Sequence, residues 1–358
     1  MNHILGIIYN SFGDVPKAIK QFEHCRTIDK LNTPLSLLNL GIVYAANGQY
    51  DKAVEYLKDS LNSIYNKSNS NIAMTYYNLG MVNLVQGYKG NAIQYLEKSL
   101  EIRKSLYNDK FHPHIAMSFY GLGELFQACR EYDKAIEYHT ISLNMRNCIY
   151  HEERHLDIAA SFNALGIIYK LKKNYPKAIE YFDKSLSMQR VVYNNSSHLD
   201  IAKTLNNLGN LYYDDKKYEI AIEYHTQSLE MKRTLYNKNL IHSDIAISLN
   251  NLANALRVIG HNEEASKHLK ESLEIQRSLC NDKPNPDIDN TLYWIKEVEK
   301  LAAAVSDLDH VPFINTSLLA NELLTTSAIS TSINMDDINV TLLADIDLSK
   351  TNQDLPSP

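Results

Sequence analysis

The chain has 358 residues, 44% apolar and 22% charged, with a formal net charge of −6 and four cysteines. Cys25, Cys129, Cys148 and Cys280 are scattered without a C-x-x-C pair, which excludes a disulfide framework and reads as free thiols in a reducing compartment. Eight acids face one lysine after Lys300, so the preceding body is close to neutral; that gives no case for nucleic acid as a partner, because phosphate neutralisation needs a basic face.

Taken in chain order, the first elements are His3 to Tyr9, the end of one helix, and a second helix carrying Ala18, Phe22 and Cys25. The start has no cationic leader and no stretch reads as a membrane span, so a cytoplasmic protein with no membrane insertion is expected. From Gly41 a unit recurs, anchored on Gly80, Gly123, Gly166, Gly209 and Ala253, with steps of 39, 43, 43, 43 and 44 residues. Its clearest copy is Leu165, Gly166, Tyr169, then Ala178, Phe182, Ser185 and Leu186. The small residues let two antiparallel helices approach closely, and large apolar residues fill the flanks. A fixed period of this size predicts a solenoid.

Helix starts are expected at Asn71, Asp157, Asp200, Asp244 and Asp287, each before an Ile, because Asp and Asn side chains accept from free first-turn N–H groups. Thr33-Pro34, Pro16 and Pro176 mark further starts, where a proline loses no bond. Lys172-Lys173 and Asp214 to Lys217 fall in the short turns between paired helices. After Pro284-Asn285-Pro286 a last helix is expected from about Ile288 to Ala304, closing the stack, with Trp294 over apolar surface. Beyond it, Ser, Thr, Asn and Asp dominate.

The pattern L-G-x2-Y followed by A-x3-F resembles the tetratricopeptide signature. The long-period copies, with His198-Leu199-Asp200-Ile201-Ala202 and His242-Ser243-Asp244-Ile245-Ala246 before Leu205-Asn206-Asn207-Leu208-Gly209 and Leu249-Asn250-Asn251-Leu252-Ala253, are similar to those of kinesin light chain. The resemblance implies an all-α, right-handed solenoid of antiparallel helix pairs over residues 1–304, comprising a partial first repeat, six full repeats and a capping helix. Residues 305–358 are expected to be an acidic disordered tail.

The same resemblance implies that first helices line a concave groove. The groove candidates are then Leu38, Ile42, Tyr77, Met81 and Tyr120 early in the chain, and Asn163, Lys170, Lys203, Asn206, Asn210, Asn250, Asn254 and Arg257 late. A carboxamide offers both donors and an acceptor to an extended peptide backbone, and the flanking bases favour acidic side chains. The alternative is that the asparagines bond the neighbouring helix, which suits Asn39, Asn78, Asn207 and Asn251 better.

His112, His155, His198 and His242 recur once per repeat, too far apart to share a metal whose bonds are about 2 Å long, and are expected in loops ahead of the caps. His139 and His225 are expected as packing residues between helices. No Walker loop, nucleophile elbow or zinc-protease motif is present, so no catalytic residue, cofactor or metal is expected. The expected function is a non-catalytic adaptor for acidic-apolar linear motifs of partner proteins. The chain's own acidic segment Val340 to Leu348 is a further candidate for the groove, weighed against an unbound solubilising tail, which is the favoured expectation. The alternative is the regulatory or substrate-recruiting part of an enzyme or motor assembly whose catalytic part lies on another or upstream segment.

Overall fold

The computed structural model describes residues 15–28, 33–63, 70–151, 153–236, 241–280 and 285–308. The expected helix from His3 to Tyr9 and almost all of the expected tail, including Val340 to Leu348, lie outside them. The described residues divide after residue 152 into two compact units. The first holds α1 (Val15–Ile28), then the pairs α2 (Thr33–Ala46) with α3 (Tyr50–Asn62), α4 (Ser70–Val85) with α5 (Lys89–Leu106), and α6 (Pro113–Ala128) with α7 (Tyr132–Ile149). The second holds α8 (Leu156–Leu171) with α9 (Tyr175–Val192), α10 (Leu199–Asp214) with α11 (Tyr218–Tyr236), α12 (Ser243–Val258) with α13 (Asn262–Cys280), and α14 (Pro286–Leu308). All of these elements are α-helices. Within each unit the first helices of successive repeats touch, as do the two helices of each pair. The long period is spent on the second helix, which grows from 13 residues in α3 to 18 in α5 and 19 in α13.

Each pair is held by two contacts that recur at fixed spacing. The anchoring glycine lies under the side chain sixteen residues on. A Cβ at Gly41, Gly80, Gly123, Gly166 or Gly209 would stand 2.6–2.7 Å from Leu57, Leu96, His139, Phe182 or His225 respectively, closer than any real Cβ is found. The serine of each second helix then donates to a backbone carbonyl 26 residues back in the first. The bonds run from Ser60, Ser99, Ser142, Ser185, Ser228 and Ser272 to the carbonyls of Pro34, Ala73, Ala116, Ala159, Ala202 and Ala246, at 2.7–3.0 Å. The six serines are fully buried, so an unmade bond would leave a desolvated hydroxyl.

The starts marked by Thr33-Pro34, Pro16 and Pro176 fall where expected, whereas the caps expected at Asp157, Asp200, Asp244 and Asp287 lie two residues earlier. The caps are the recurring histidines. In His112, His155, His198 and His242, Nδ1 accepts the backbone N–H of His114, Asp157, Asp200 and Asp244 at 3.1–3.2 Å. The last tyrosine before each of three caps stacks on the imidazole, with centroids 3.4 Å apart for Tyr107 and His112, 3.6 Å for Tyr193 and His198, and 3.9 Å for Tyr236 and His242. The Tyr193 and Tyr236 hydroxyls donate to the carboxylates of Asp200 and Asp244. The aspartates therefore sit inside the first turn, where they complement the helix dipole. At α14 an asparagine does the work of the histidine: Asn285 Oδ1 accepts from the Asp287 N–H at 2.8 Å.

The turns within pairs also repeat. Gly48, Gly87 and Gly260 adopt positive φ there, and so do Arg130, Lys173 and Lys216, with φ of 61°, 57° and 60°. A side chain in this left-handed region is strained.

His139 and His225 pack as expected, in the place that Phe182 and Leu269 take elsewhere. Burial pushes both imidazoles down to about 3, helped at His225 by Lys232 and Lys170. His225 Nδ1 meets Asn206 Oδ1 at 3.2 Å.

Three outcomes are expected. Gly166→Ala places its methyl against the Phe182 ring and costs about 1–3 kcal/mol by overpacking, measured by urea unfolding. Adding Phe182→Leu recovers most of that loss, since the last full repeat already pairs Ala253 with Leu269. Lys216→Gly, relieving positive φ, raises stability by about 0.5–1 kcal/mol. The third concerns pH. A histidine pushed below its unfolded value contributes stability that is present above pH ~6.5 and lost as pH falls. His225→Leu, which copies Leu96, should therefore shrink the stability loss between pH 7 and pH 5 by about 2 kcal/mol; an unchanged pH profile contradicts the burial argument.

Candidate peptide-binding face

The first helices of each unit present one row of residues three before the anchoring glycine and another two before it. These rows meet between repeats. In the first unit the Tyr77 ring lies against Gly121 of the next first helix, where a Cβ would stand 2.7 Å from Cε2. The Arg103 guanidinium covers Tyr77 at 5.2 Å from the ring centroid. Tyr120 takes the edge of His139 at 4.8 Å, with Arg146 at 4.9 Å over its ring. Leu38, Ile42, Tyr77, Met81 and Tyr120 are all no more than 5% exposed; the early apolar row lines the interior of the stack.

The same two rows in the second unit carry asparagines. Asn207 Nδ2 donates to Asn163 Oδ1 and Asn251 Nδ2 donates to Asn206 Oδ1, both at 3.1 Å. Asn163 and Asn206 are buried, so this is a ladder between neighbouring helices rather than a free row. The pairing is complementary across repeats: a tyrosine faces a glycine early, and an amide faces an amide late.

What remains accessible lies on α10 and α12. Lys203 is exposed, and Asn210, Asn250, Asn254 and Arg257 are half-buried. Lys170 is buried, with Nζ 3.9 Å from Asp214 Oδ2 at the helix end. Asn250 Nδ2 donates to the Thr291 hydroxyl at 3.3 Å, and the Arg257 guanidinium lies 4.3 Å from the Trp294 ring centroid. Trp294 therefore covers a cation as well as apolar surface.

Two polar features escaped the sequence reading. One is a column of buried groups joining the second helices α5, α9 and α11 to the first helices that follow them. Arg103 donates to the His114 carbonyl at 2.7 Å and to the Ser118 hydroxyl at 2.8 Å, and burial pushes it down to about 10. Gln189 accepts from Thr204 at 2.9 Å, and Lys232 donates to Ser248 at 2.8 Å. Its signal was a Ser or Thr at one register of every first helix. The other is Glu124, next to Gly123 and 3.7 Å from His139 Nε2. Burial pushes its carboxyl up to about 8, so it is mainly protonated at neutral pH.

A recess of about 490 Å³ is lined by Arg154, by Phe162 of α8 and by Asp183, Lys184 and Met188 of α9; it shares no residue with the face just described. Among the described residues no group of three or more His, Cys, Asp or Glu is placed to hold a metal ion. No described helix is long and apolar enough to cross a membrane.

The sequence matches the tetratricopeptide repeat family over residues 31–105, 71–147, 114–190, 157–234 and 200–278. No curated protein matches significantly. Among solved structures, the chain is similar to a signal-transduction ATPase with numerous domains and a tetratricopeptide repeat sensor from Pyrococcus horikoshii. That match has 16% identity and a TM-score of 0.60, over 87% of this chain and 46% of that one. It is similar to a Rap protein complexed with competence and sporulation factor at 16% identity and a TM-score of 0.58, over 79% of this chain and 76% of that one. A putative kinesin light chain of Podosopora anserina with nearly identical TPR-like repeats matches at 18% identity and a TM-score of 0.48, over 59% of this chain and 98% of that one. At these identities the likeness is one of fold. The overlapping matches across residues 31–278 and the recurring helix pairs beneath them agree: the chain belongs to the tetratricopeptide repeat family.

Proposed function

We propose that the chain is a non-catalytic protein-interaction scaffold that holds extended peptide segments of partner proteins on the first helices α10 and α12. Stacked tetratricopeptide repeats offer extended surfaces to partners, so the fold supports the general reading. One observation carries the specific one. The position just after the anchoring glycine is sealed in residues 15–151, at Ile42, Met81 and Glu124, whereas on α10 and α12 the same position leaves Asn210 and Asn254 only half-buried, with Lys203 exposed and Arg257 half-buried on the same helices.

The chemistry of those groups suits a peptide. Asn210 and Asn254 each offer an acceptor and two donors, the set needed by the C=O and N–H of an extended strand. Lys203 and Arg257, on the same two helices, favour acidic side chains among the apolar ones. The buried ladder fixes the helices that carry these groups, which lowers the ordering cost of binding. Cytoplasmic placement belongs to the same proposal and suits the free thiols.

Capture of partners by the full chain tests the proposal. The variant Lys203→Ala, Asn210→Ala, Asn254→Ala leaves the ladder intact and should keep its helical circular dichroism. It should lose at least about tenfold in affinity for each captured partner, on the scale of one to two lost hydrogen bonds. Partners retained at full strength are not held by this face.

A further inference from the structure

The caps of α10 and α12 carry a chemistry that the cap of α14 lacks. At His198 and His242, Nδ1 accepts the backbone N–H of Asp200 and Asp244 at 3.2 Å. The same nitrogens stand 3.4 Å from Asp200 Oδ2 and 3.9 Å from Asp244 Oδ2. Those oxygens also accept from the Tyr193 and Tyr236 hydroxyls, at 2.6 and 2.8 Å, and the two tyrosines stack on the imidazoles. Each Nδ1 therefore faces both a donor and an acceptor. The His198 and His242 side chains are 41% and 36% exposed, so they exchange protons with water, unlike the sealed His139 and His225. At α14 the same place is held by the Asn285 carboxamide, which does not titrate.

A bond accepted at Nδ1 needs the neutral ring with its hydrogen on Nε2; an imidazolium carries a hydrogen on both nitrogens and accepts nothing. Histidine is the side chain that makes this change between pH 5 and 8. We propose that His198 and His242 are proton-operated latches between repeats: on protonation, Nδ1 releases the first-turn N–H of α10 or α12 and donates instead to the Asp200 or Asp244 carboxylate. The new ion pair keeps the ring at the junction, while the freed N–H loosens the start of the helix. The groups facing His198 are Tyr193 at the end of α9 and Asp200 of α10. Those facing His242 are Tyr236 and Lys232 of α11 and Asp244 of α12. Burial, with the Lys232 charge, holds the His242 imidazole below its ordinary value against the pull of Asp244. A histidine lowered in this way contributes stability that is present above pH ~6.5 and lost as pH falls, so α12 loosens at its start on mild acidification. The latch operates whether or not α10 and α12 hold a peptide.

Backbone amide hydrogen exchange of the full chain, followed residue by residue by nuclear magnetic resonance, tests the latch. Protection of the Asp200 and Asp244 N–H groups, corrected for the intrinsic pH dependence of exchange, should fall by about fivefold between pH 7.5 and pH 5.5, the scale of one lost cap. The Asp287 N–H, capped by Asn285, should keep its protection. Imidazole nitrogen spectra should show hydrogen on Nε2 alone at pH 7.5 and on both nitrogens once protection is lost. His198→Asn with His242→Asn copies the Asn285 cap and should hold protection constant over the same range. Asp200→Ala with Asp244→Ala removes the second acceptor and should move the midpoint of the change to lower pH. Unchanged protection at Asp200 and Asp244 overturns the latch, as does hydrogen on Nδ1 at pH 7.5. The same acid loss in the asparagine variant, or an unmoved midpoint in the alanine variant, overturns it too. An equal loss at Asp287 also overturns it, assigning the acid response to the buried His225 instead.

Discussion

Everything in this molecule depends on how closely two helices can approach. At five successive repeats the glycine backbone sits where a Cβ would be 2.6–2.7 Å from the side chain sixteen residues on. That contact sets the depth of each pair, and the depth brings the serine hydroxyl of the second helix within bonding distance of a first-helix carbonyl. Neither contact works without the other. A wider gap would strand a buried hydroxyl, and an absent serine would leave a buried carbonyl with one fewer donor. Because each contact is local to one repeat, the apolar core is a series of clusters shared between neighbours, as a solenoid requires.

The freedom of the chain lies between repeats. There the residue three before the glycine meets the residue two before the next glycine, and the pair must fit. Tyr77 needs Gly121; Asn163 needs Asn207; Asn206 needs Asn251. An amide pair is narrower and polar, so it joins the helices while leaving amides and bases on α10 and α12 open to the outside. The change from aromatic to amide pairing thus links a packing choice to the position of the proposed binding face.

The helix pairs, their period and the turns between them were legible in the sequence, because glycine, alanine and the large residues sixteen on repeat in one register. The serine was visible too, but not its acceptor, since a carbonyl leaves no trace in a side-chain pattern. The histidine caps were read as loop residues because imidazole is not among the usual capping side chains; the stacked tyrosine that steadies them lies outside the repeat signature. The burial of Leu38, Ile42, Tyr77, Met81 and Tyr120, and the bonding of Asn163 and Asn206, depend on the facing residue of another repeat. A comparison of each repeat with itself cannot show that. Aligning one repeat's row against the next repeat's row would have paired tyrosine with glycine and asparagine with asparagine.

The most direct test of this account is the side-chain amide spectrum of the full chain, recorded by nuclear magnetic resonance with and without an acidic peptide that it binds. The account predicts that the carboxamide signals of Asn163, Asn206, Asn207 and Asn251 exchange slowly with water and stay in place, while those of Asn210 and Asn254 move as peptide is added. Rapid exchange of the first four, or peptide-induced shifts confined to them, would contradict it.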